Sequence, residues 1–182
     1  MNLEEKQLKA EYLYKGRIIN LRRDEAELPN GNTALREVIE HPGGVCVAAL
    51  TEQNEVLMVR QYRYPYSEVI MEIPAGKRDS KDEDPLQCGM RELKEETGAS
   101  AEKFIFLGEL YPTPGYCAEI IWLYAATGLT FGEQDTDEDE FLTVQRIPLE
   151  KAVDMIMSGE IKDAKTQAAV LKLKLLKDNG KI

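Results

Sequence analysis

GKRDSKDEDPLQCGMRELKEETGA, residues Gly76 to Ala99, is the stretch around which this chain is organised. Asp84 suits a helix N-cap and Pro85 suits the first helical position. Gly98 supplies a left-handed stop, so a helix is expected from Pro85 to Thr97. On a 3.6-residue period Leu86, Met90, Leu93 and Thr97 share one face, which is expected to be the buried one. Glu92 and Glu96 fall four apart on a flanking stripe, with Glu95 on the next. Carboxylates at that spacing repel, and no lysine stands one turn away to relieve both. Three glutamates within five residues therefore suit a hard divalent cation, which takes oxygen ligands. For RELKEE taken alone, the plain alternative is a solvated helix rich in glutamate.

Gly76, Glu83, Arg91, Glu92, Leu93, Glu95, Glu96 and Gly98 together resemble the signature box of the Nudix hydrolases, G-x5-E-x7-R-E-U-x-E-E-x-G-U with U apolar. From Glu83 onward the match is position for position, with Ala99 in the last slot. Six residues (77–82) separate Gly76 from Glu83, where the family pattern has five. Either the loop carries an extra residue or Asp82 fills the glutamate slot. The Asp84-Pro85 start fixes the helix register and favours the insertion, because one more loop residue costs little closure entropy.

Composition sets the outer limits. A chain of 182 residues with 43% hydrophobic content can bury one domain plus an appendage. No run reaches the length of about 18 apolar residues that a membrane span needs. The start, MNLEEKQLKAE, is charged and unlike a signal peptide, so a cytoplasmic protein is expected. A net charge of −10 argues against nucleic acid as a partner. Cys46, Cys88 and Cys117 are too widely spaced for a zinc site, and an odd number does not make a disulfide framework. They read as small buried residues. His41 is the lone histidine and reads as structural, which leaves a carboxylate as the general base.

Along the chain, residues 1 to about 10 are expected to be frayed. YLYKG, RIINLRRDEAEL and TALREVIEH read as strands, with Pro29-Asn30-Gly31-Asn32 as a hairpin turn between the last two. VCVAAL is nearly continuous in apolar residues, as a buried strand would be. VLMVRQYRY, SEVIMEI, FIFLGELY (104–111), EIIWLYAAT (119–127) and FLTVQRI follow as strands. A helix is expected from Pro148 to about Met157. Another runs from about Ala164 to Lys177, with Ala168, Leu171 and Leu175 on one face.

This order fits an α+β chain, and the resemblance implies a Nudix-type α/β/α sandwich with a mixed sheet over residues 42–182. Residues 1–41 form an antiparallel β appendage that resembles the dimerising part of the ADP-ribose pyrophosphatase branch. A two-fold homodimer follows from that likeness, with Arg36 of one chain within reach of the other's site.

The same resemblance implies the chemistry. Glu92, Glu96 and the Ala75 carbonyl would hold metal, with Glu95 and Glu140 in support. Two or three Mg²⁺ ions are expected, with Mn²⁺ as the alternative. Pro114 lies sixteen residues past Gly98, like the marker proline of the ADP-ribose branch. Glu119 matches a position on the substrate's ribose side. The acidic loop GEQDTDEDE (132–140) imitates the opening of a calcium-binding hand. It fails as one at Glu140, where glycine belongs, and at Arg146, where the bidentate glutamate belongs. It resembles instead the segment that carries the catalytic base, which puts Glu138 at the base position. Arg91 is expected to orient the box carboxylates, and Arg36 and Arg63 to grip the diphosphate, to which arginine's planar fork is suited. Tyr62, Tyr64, Tyr66 and Tyr116 are open candidates for stacking on the base. The expected reaction is Mg²⁺-dependent hydrolysis of ADP-ribose to AMP and ribose 5-phosphate. A diphosphatase for another nucleotide sugar, such as GDP-mannose, and a non-catalytic ADP-ribose sensor are the rivals.

Overall fold

The computed structural model describes residues 2–136 and 140–182. They fall into two compact units. One runs to Gly43 and takes in Tyr111–Ile120; the other comprises Gly44–Leu110 and Ile121–Ile182. Among the described residues no helix is long and apolar enough to cross a membrane.

The first unit is an antiparallel sheet of β1 (Lys6–Lys15), β2 (Asn20–Glu27) and β3 (Thr33–Glu40), in that order. The β2–β3 turn forms where the sequence places it. Gly31 takes a positive φ of 82°, Leu28 N–H donates to Asn32 O, and Asn32 N–H donates to Asn30 Oδ1. The frayed start is corrected: the strand begins at Lys6. Every residue of β1 is exposed, so no burial pattern marks it in the sequence. Side chains tie the sheet instead. Gln7 donates to Asp24, and Arg22 bridges Asp24 and Glu40. Beyond β3, Ile39 N–H donates to Tyr116 O and Ala118 N–H donates to Ile39 O.

The second unit contains β4 (Gly44–Ala49), β5 (Glu55–Arg63), β6 (Glu68–Glu72), β7 (Ala75–Lys77), α1 (Pro85–Thr97), β8 (Ala99–Leu110), β9 (Ile121–Phe131), β10 (Leu142–Pro148), α2 (Leu149–Met157) and α3 (Ala164–Asp178). A mixed sheet runs β7-β4-β9-β8, with β4 and β9 parallel, and a second, antiparallel sheet runs β10-β5-β6. All six residues of β4 are buried, as its apolar run requires. Its side chains alternate between two cores. Val45, Val47 and Ala49 pack with Cys88 and Leu93 of α1, whereas Cys46 and Ala48 pack with Ala152 of α2 and Ala169 and Leu173 of α3. Helices therefore cover both faces of this sheet, and that makes the sandwich.

Two helix faces differ from expectation. On α1 the buried set is Cys88, Gly89, Glu92, Leu93, Glu96 and Thr97, while Met90 is 41% exposed. The helix is turned so that Gly89 lies close against Val45 and Val47, where an added Cβ would stand 3.0 and 3.3 Å from their methyl groups, and its glutamates come inward with it. On α3 the buried set is Thr166, Ala169, Val170 and Leu173, and Leu175 is 61% exposed. Cys117 is half-buried, unlike Cys46 and Cys88, whose thiols burial pushes well up.

Candidate active site

α1 begins and ends on local chemistry. Asp84 Oδ1 accepts from Gln87 N–H, Pro85 follows, and Gly98 closes the helix at φ 69° with its N–H on Lys94 O. That register brings Glu92 and Glu96 inward. They are only 7% and 2% exposed. Glu96 Oε2 accepts from Ala75 N–H at 3.0 Å. Gly76, the next residue, lies directly against Glu92, so that a Cβ there would stand 1.9 Å from the carboxyl carbon. The absent side chain makes the space that the carboxylate fills.

Burial pushes the Glu92 carboxyl up to about 7; Arg91 pulls it down, and Glu95 and Glu140 push it further up. Burial likewise pushes Glu96 up to about 8, against the Ala75 N–H and Arg63, and with the charges of Glu92 and Glu140. Glu140 thus belongs to the same electrostatic site. The entry to the acidic loop is fixed to this helix: Asp135 N–H donates to Glu95 O, and Gln134 donates to Glu96 O.

Arg91 holds the exposed rim. Its Nη1 is 2.9 Å from both Glu92 and Glu95, and its Nη2 is 3.5 Å from Glu83. Burial works against its charge, but the surrounding carboxylates raise it overall. The longer loop is taken up between Gly76 and Glu83. Arg78, buried over the Trp122 ring, donates to the carbonyls of Lys81 and Glu83. Glu83, half-buried, accepts from Asp79 N–H, whereas Asp82 is exposed.

Arg63 stands at the end of β5. Its Nε and Nη2 donate to Glu72 at 2.6 and 2.8 Å, and Lys165 of α3 reaches the same carboxylate. Burial opposes ionisation of Glu72, which is 1% exposed, but these two cations outweigh it and hold its pKa below the ordinary value.

The remaining candidates lie in the first unit or outside the described residues. Arg36 makes a two-bond pair with Glu5 of its own unit, at 2.8 and 2.7 Å. Pro114 is exposed in a turn in which Tyr116 and Cys117 N–H donate to Thr113 O. Glu119 is 3.4 Å from His41 Nδ1, which also accepts from Gly43 N–H. Glu138 lies outside the described residues. Glu72, Lys165 and Arg78 escaped the sequence reading. Glu72 has a faint signal, as the acidic residue just before Ile73-Pro74 in an otherwise apolar strand end. Lys165 and Arg78 have none, because such residues are normally exposed.

The donor set fits a divalent cation. Glu92 and Glu96 are hard oxygen donors, buried side by side with their pKa values pushed up, and a cation supplies the positive charge that two such carboxylates need. Among the described residues no three acidic, cysteine or histidine side chains converge at metal-binding distance, and Glu92 and Glu96 are the buried oxygen donors that α1 supplies. Mg²⁺ commonly takes few protein ligands.

Comparison with known proteins identifies what the chain is similar to. The model of the NUDIX domain matches residues 40–170, and that of the nucleoside diphosphate sugar hydrolase N-terminal domain matches residues 5–39. The chain is 45% identical over 174 residues to a methanol dehydrogenase activator of Bacillus methanolicus, covering 94% of each. It is 41% identical over 176 residues to an ADP-ribose pyrophosphatase of Bacillus subtilis (strain 168), covering 96% of this chain and 95% of the relative. The solved structure of an ADP compounds hydrolase superposes with a TM-score of 0.85 over the whole of both chains at 23% identity, a likeness of fold.

Proposed function

The chain belongs to the Nudix family of hydrolases, and we propose that it cleaves the diphosphate of ADP-ribose to AMP and ribose 5-phosphate. Nudix hydrolases generally use divalent metal ions. The observation that carries the reading is the buried Glu92–Glu96 pair, seated beneath a glycine and against the Ala75 amide.

Glu92, Glu96, Glu140 and the Ala75 carbonyl would hold two or three Mg²⁺ ions, with Mn²⁺ as a substitute. Bound there, the cations supply positive charge to the diphosphate oxygens. Arg91 keeps Glu92 and Glu95 in place through its short contacts to both. Arg63 spends Nε and Nη2 on Glu72, which leaves Nη1 to meet a phosphate oxygen. Water adds across the anhydride: its oxygen bonds to phosphorus, the bridging P–O bond breaks, and Glu138 takes the proton. Assignment of Glu138, and of Arg36, Pro114 and Glu119 to the substrate, rests on resemblance. On the same footing the protein is read as a homodimer that uses its N-terminal sheet; a cytoplasmic location is part of the proposal, and the net charge of −10 argues against nucleic acid as a partner.

The test is product analysis after incubation with ADP-ribose, with and without Mg²⁺, beside Glu96→Gln. AMP and ribose 5-phosphate are expected only with Mg²⁺ and are lost in the variant. Binding without cleavage would replace this reading with a sensor, and cleavage of GDP-mannose alone would replace the substrate. The 45% identity to a methanol dehydrogenase activator favours a second reading, stimulation of such a dehydrogenase. Adding the protein to that enzyme and following its rate decides it.

A further inference from the structure

Lys165 opens α3 with a largely buried side chain, and both its partners are carboxylates: Glu72 on β6 and Asp163 at 3.0 Å. Asp163 is committed to the helix. Its Oδ2 accepts from Thr166 N–H and from Thr166 Oγ1, while the Thr166 hydroxyl accepts from Ile73 N–H. Glu72 has its own commitment, since Arg63 takes Oε1 and shares Oε2 with Lys165. The start of α3 is therefore joined to Arg63 through one carboxylate, and to the strand end leading to Ala75 through one hydroxyl. Arg63 in turn lies close enough to Glu96 for each charge to be felt by the other.

A cluster of two acids and two bases with Glu72, Lys165 and Asp163 largely buried and Arg63 half-buried is a poor way to gain stability, because apolar residues of the same volume often do as well. Its geometry serves something else. With Lys165 also on Oε2, Glu72 is held from the α3 side as well, so the Arg63 fork bound through Nε and Nη2 is fixed in one orientation, with Nη1 not engaged by Glu72. We propose that Lys165 is a positioning residue for hydrolysis, acting through Glu72 to set the orientation of Arg63 against the substrate diphosphate. This rests on the reading of Arg63 as a diphosphate-binding side chain.

The experiment is a double-mutant cycle. Steady-state hydrolysis of ADP-ribose with Mg²⁺ is measured for the wild type, Lys165→Met, Arg63→Ala, the double variant and the charge-keeping Lys165→Arg. With Arg63 present, Lys165→Met is expected to lower kcat/KM about tenfold, largely through KM, and Lys165→Arg to recover most of the loss. In the Arg63→Ala background the same change should alter kcat/KM by less than about twofold, because the residue it acts through is gone. A loss of equal size in both backgrounds, or no loss at all, overturns the proposal. If Lys165→Met does not fold, as judged by thermal unfolding, Lys165→Gln takes its place and is read by the same comparison. If the wild type does not cleave ADP-ribose, it is the substrate reading that fails. The cycle is then read as affinity for inorganic diphosphate with Mg²⁺, where the same two outcomes support or overturn the role of Lys165.

Discussion

Gly76→Ala tests the carboxylate seat directly. The added carbon would stand 1.9 Å from Glu92 Cδ and 2.1 and 2.2 Å from its oxygens, whereas carbon atoms in contact sit about 3.5 Å apart or more. The carboxylate must therefore move by about 1.6 Å, the difference between those separations. The backbone does not resist the change, since Gly76 is not among the residues with positive φ. The obstacle is also the tip of a flexible side chain, so folding should be little affected, with a Tm shift of at most about 4 °C. Function should suffer far more. Displacement of a reacting or metal-holding group by about 1 Å costs roughly 100-fold, or about 2.7 kcal/mol in the barrier. We expect kcat/KM to fall by about that factor and the Mg²⁺ concentration for half-maximal rate to rise. Gly132→Ala, whose new carbon meets only Gly98 O at 3.7 Å, is the matched control and should be unchanged. A Gly76→Ala enzyme with wild-type kcat/KM and Mg²⁺ dependence would show that the position of Glu92 does not matter, and would remove the metal-site reasoning with it.

Other expectations concern stability. Gly98→Ala should destabilise by at least about 1–2 kcal/mol, because φ is 69° and the new carbon meets Gly132 O at 2.4 Å; calorimetry should show a lower Tm with wild-type kcat in the surviving fold. Mg²⁺ should raise the Tm of the wild type and not of Glu96→Gln, by about 2.7 kcal/mol of stabilisation at a hundredfold excess over Kd; equal shifts in both would place the ions elsewhere. Glu72 is held below its ordinary value of 4.5, so its contribution is present above that pH and is lost as pH falls through the lower folded value. Thermal unfolding from pH 7 to pH 3 should therefore show the gap between wild type and Glu72→Gln narrowing on the acid side. A gap independent of pH would mean that Glu72 is not charged in the fold.

What the sequence made legible was local. The limits of α1 follow from Asp84, Pro85 and Gly98, each of which acts on its own backbone within one turn. The turn at Gly31 and the buried β4 are legible for the same reason. Tertiary choices were not. A periodic reading puts Met90 inside and Glu92 at the flank, because it ranks residues by apolarity. Gly89 and Gly76 reverse that by opening room for close packing and for a carboxylate. YLYKG was legible as the second half of β1, but its first half, from Lys6, escaped because a fully exposed strand end has no alternation to detect. Lys165 escaped because its burial depends on Glu72, some ninety residues earlier in the chain and brought close only by the fold. The spacing of Glu92, Glu95 and Glu96 already suited a cation, the resemblance strengthened that reading, and the structure adds the buried environment of Glu92 and Glu96.

The stacking of Arg78 on Trp122 has an optical consequence. Trp122 is the only tryptophan in the chain, and the guanidinium over its ring belongs to the loop that connects Gly76 to Glu83. Indole emission responds to a nearby charge and to exposure to water. Any shift of that loop as cations or nucleotide arrive is therefore reported by intrinsic fluorescence, without a label. The protein carries its own stopped-flow probe, and Arg78→Met supplies the blank.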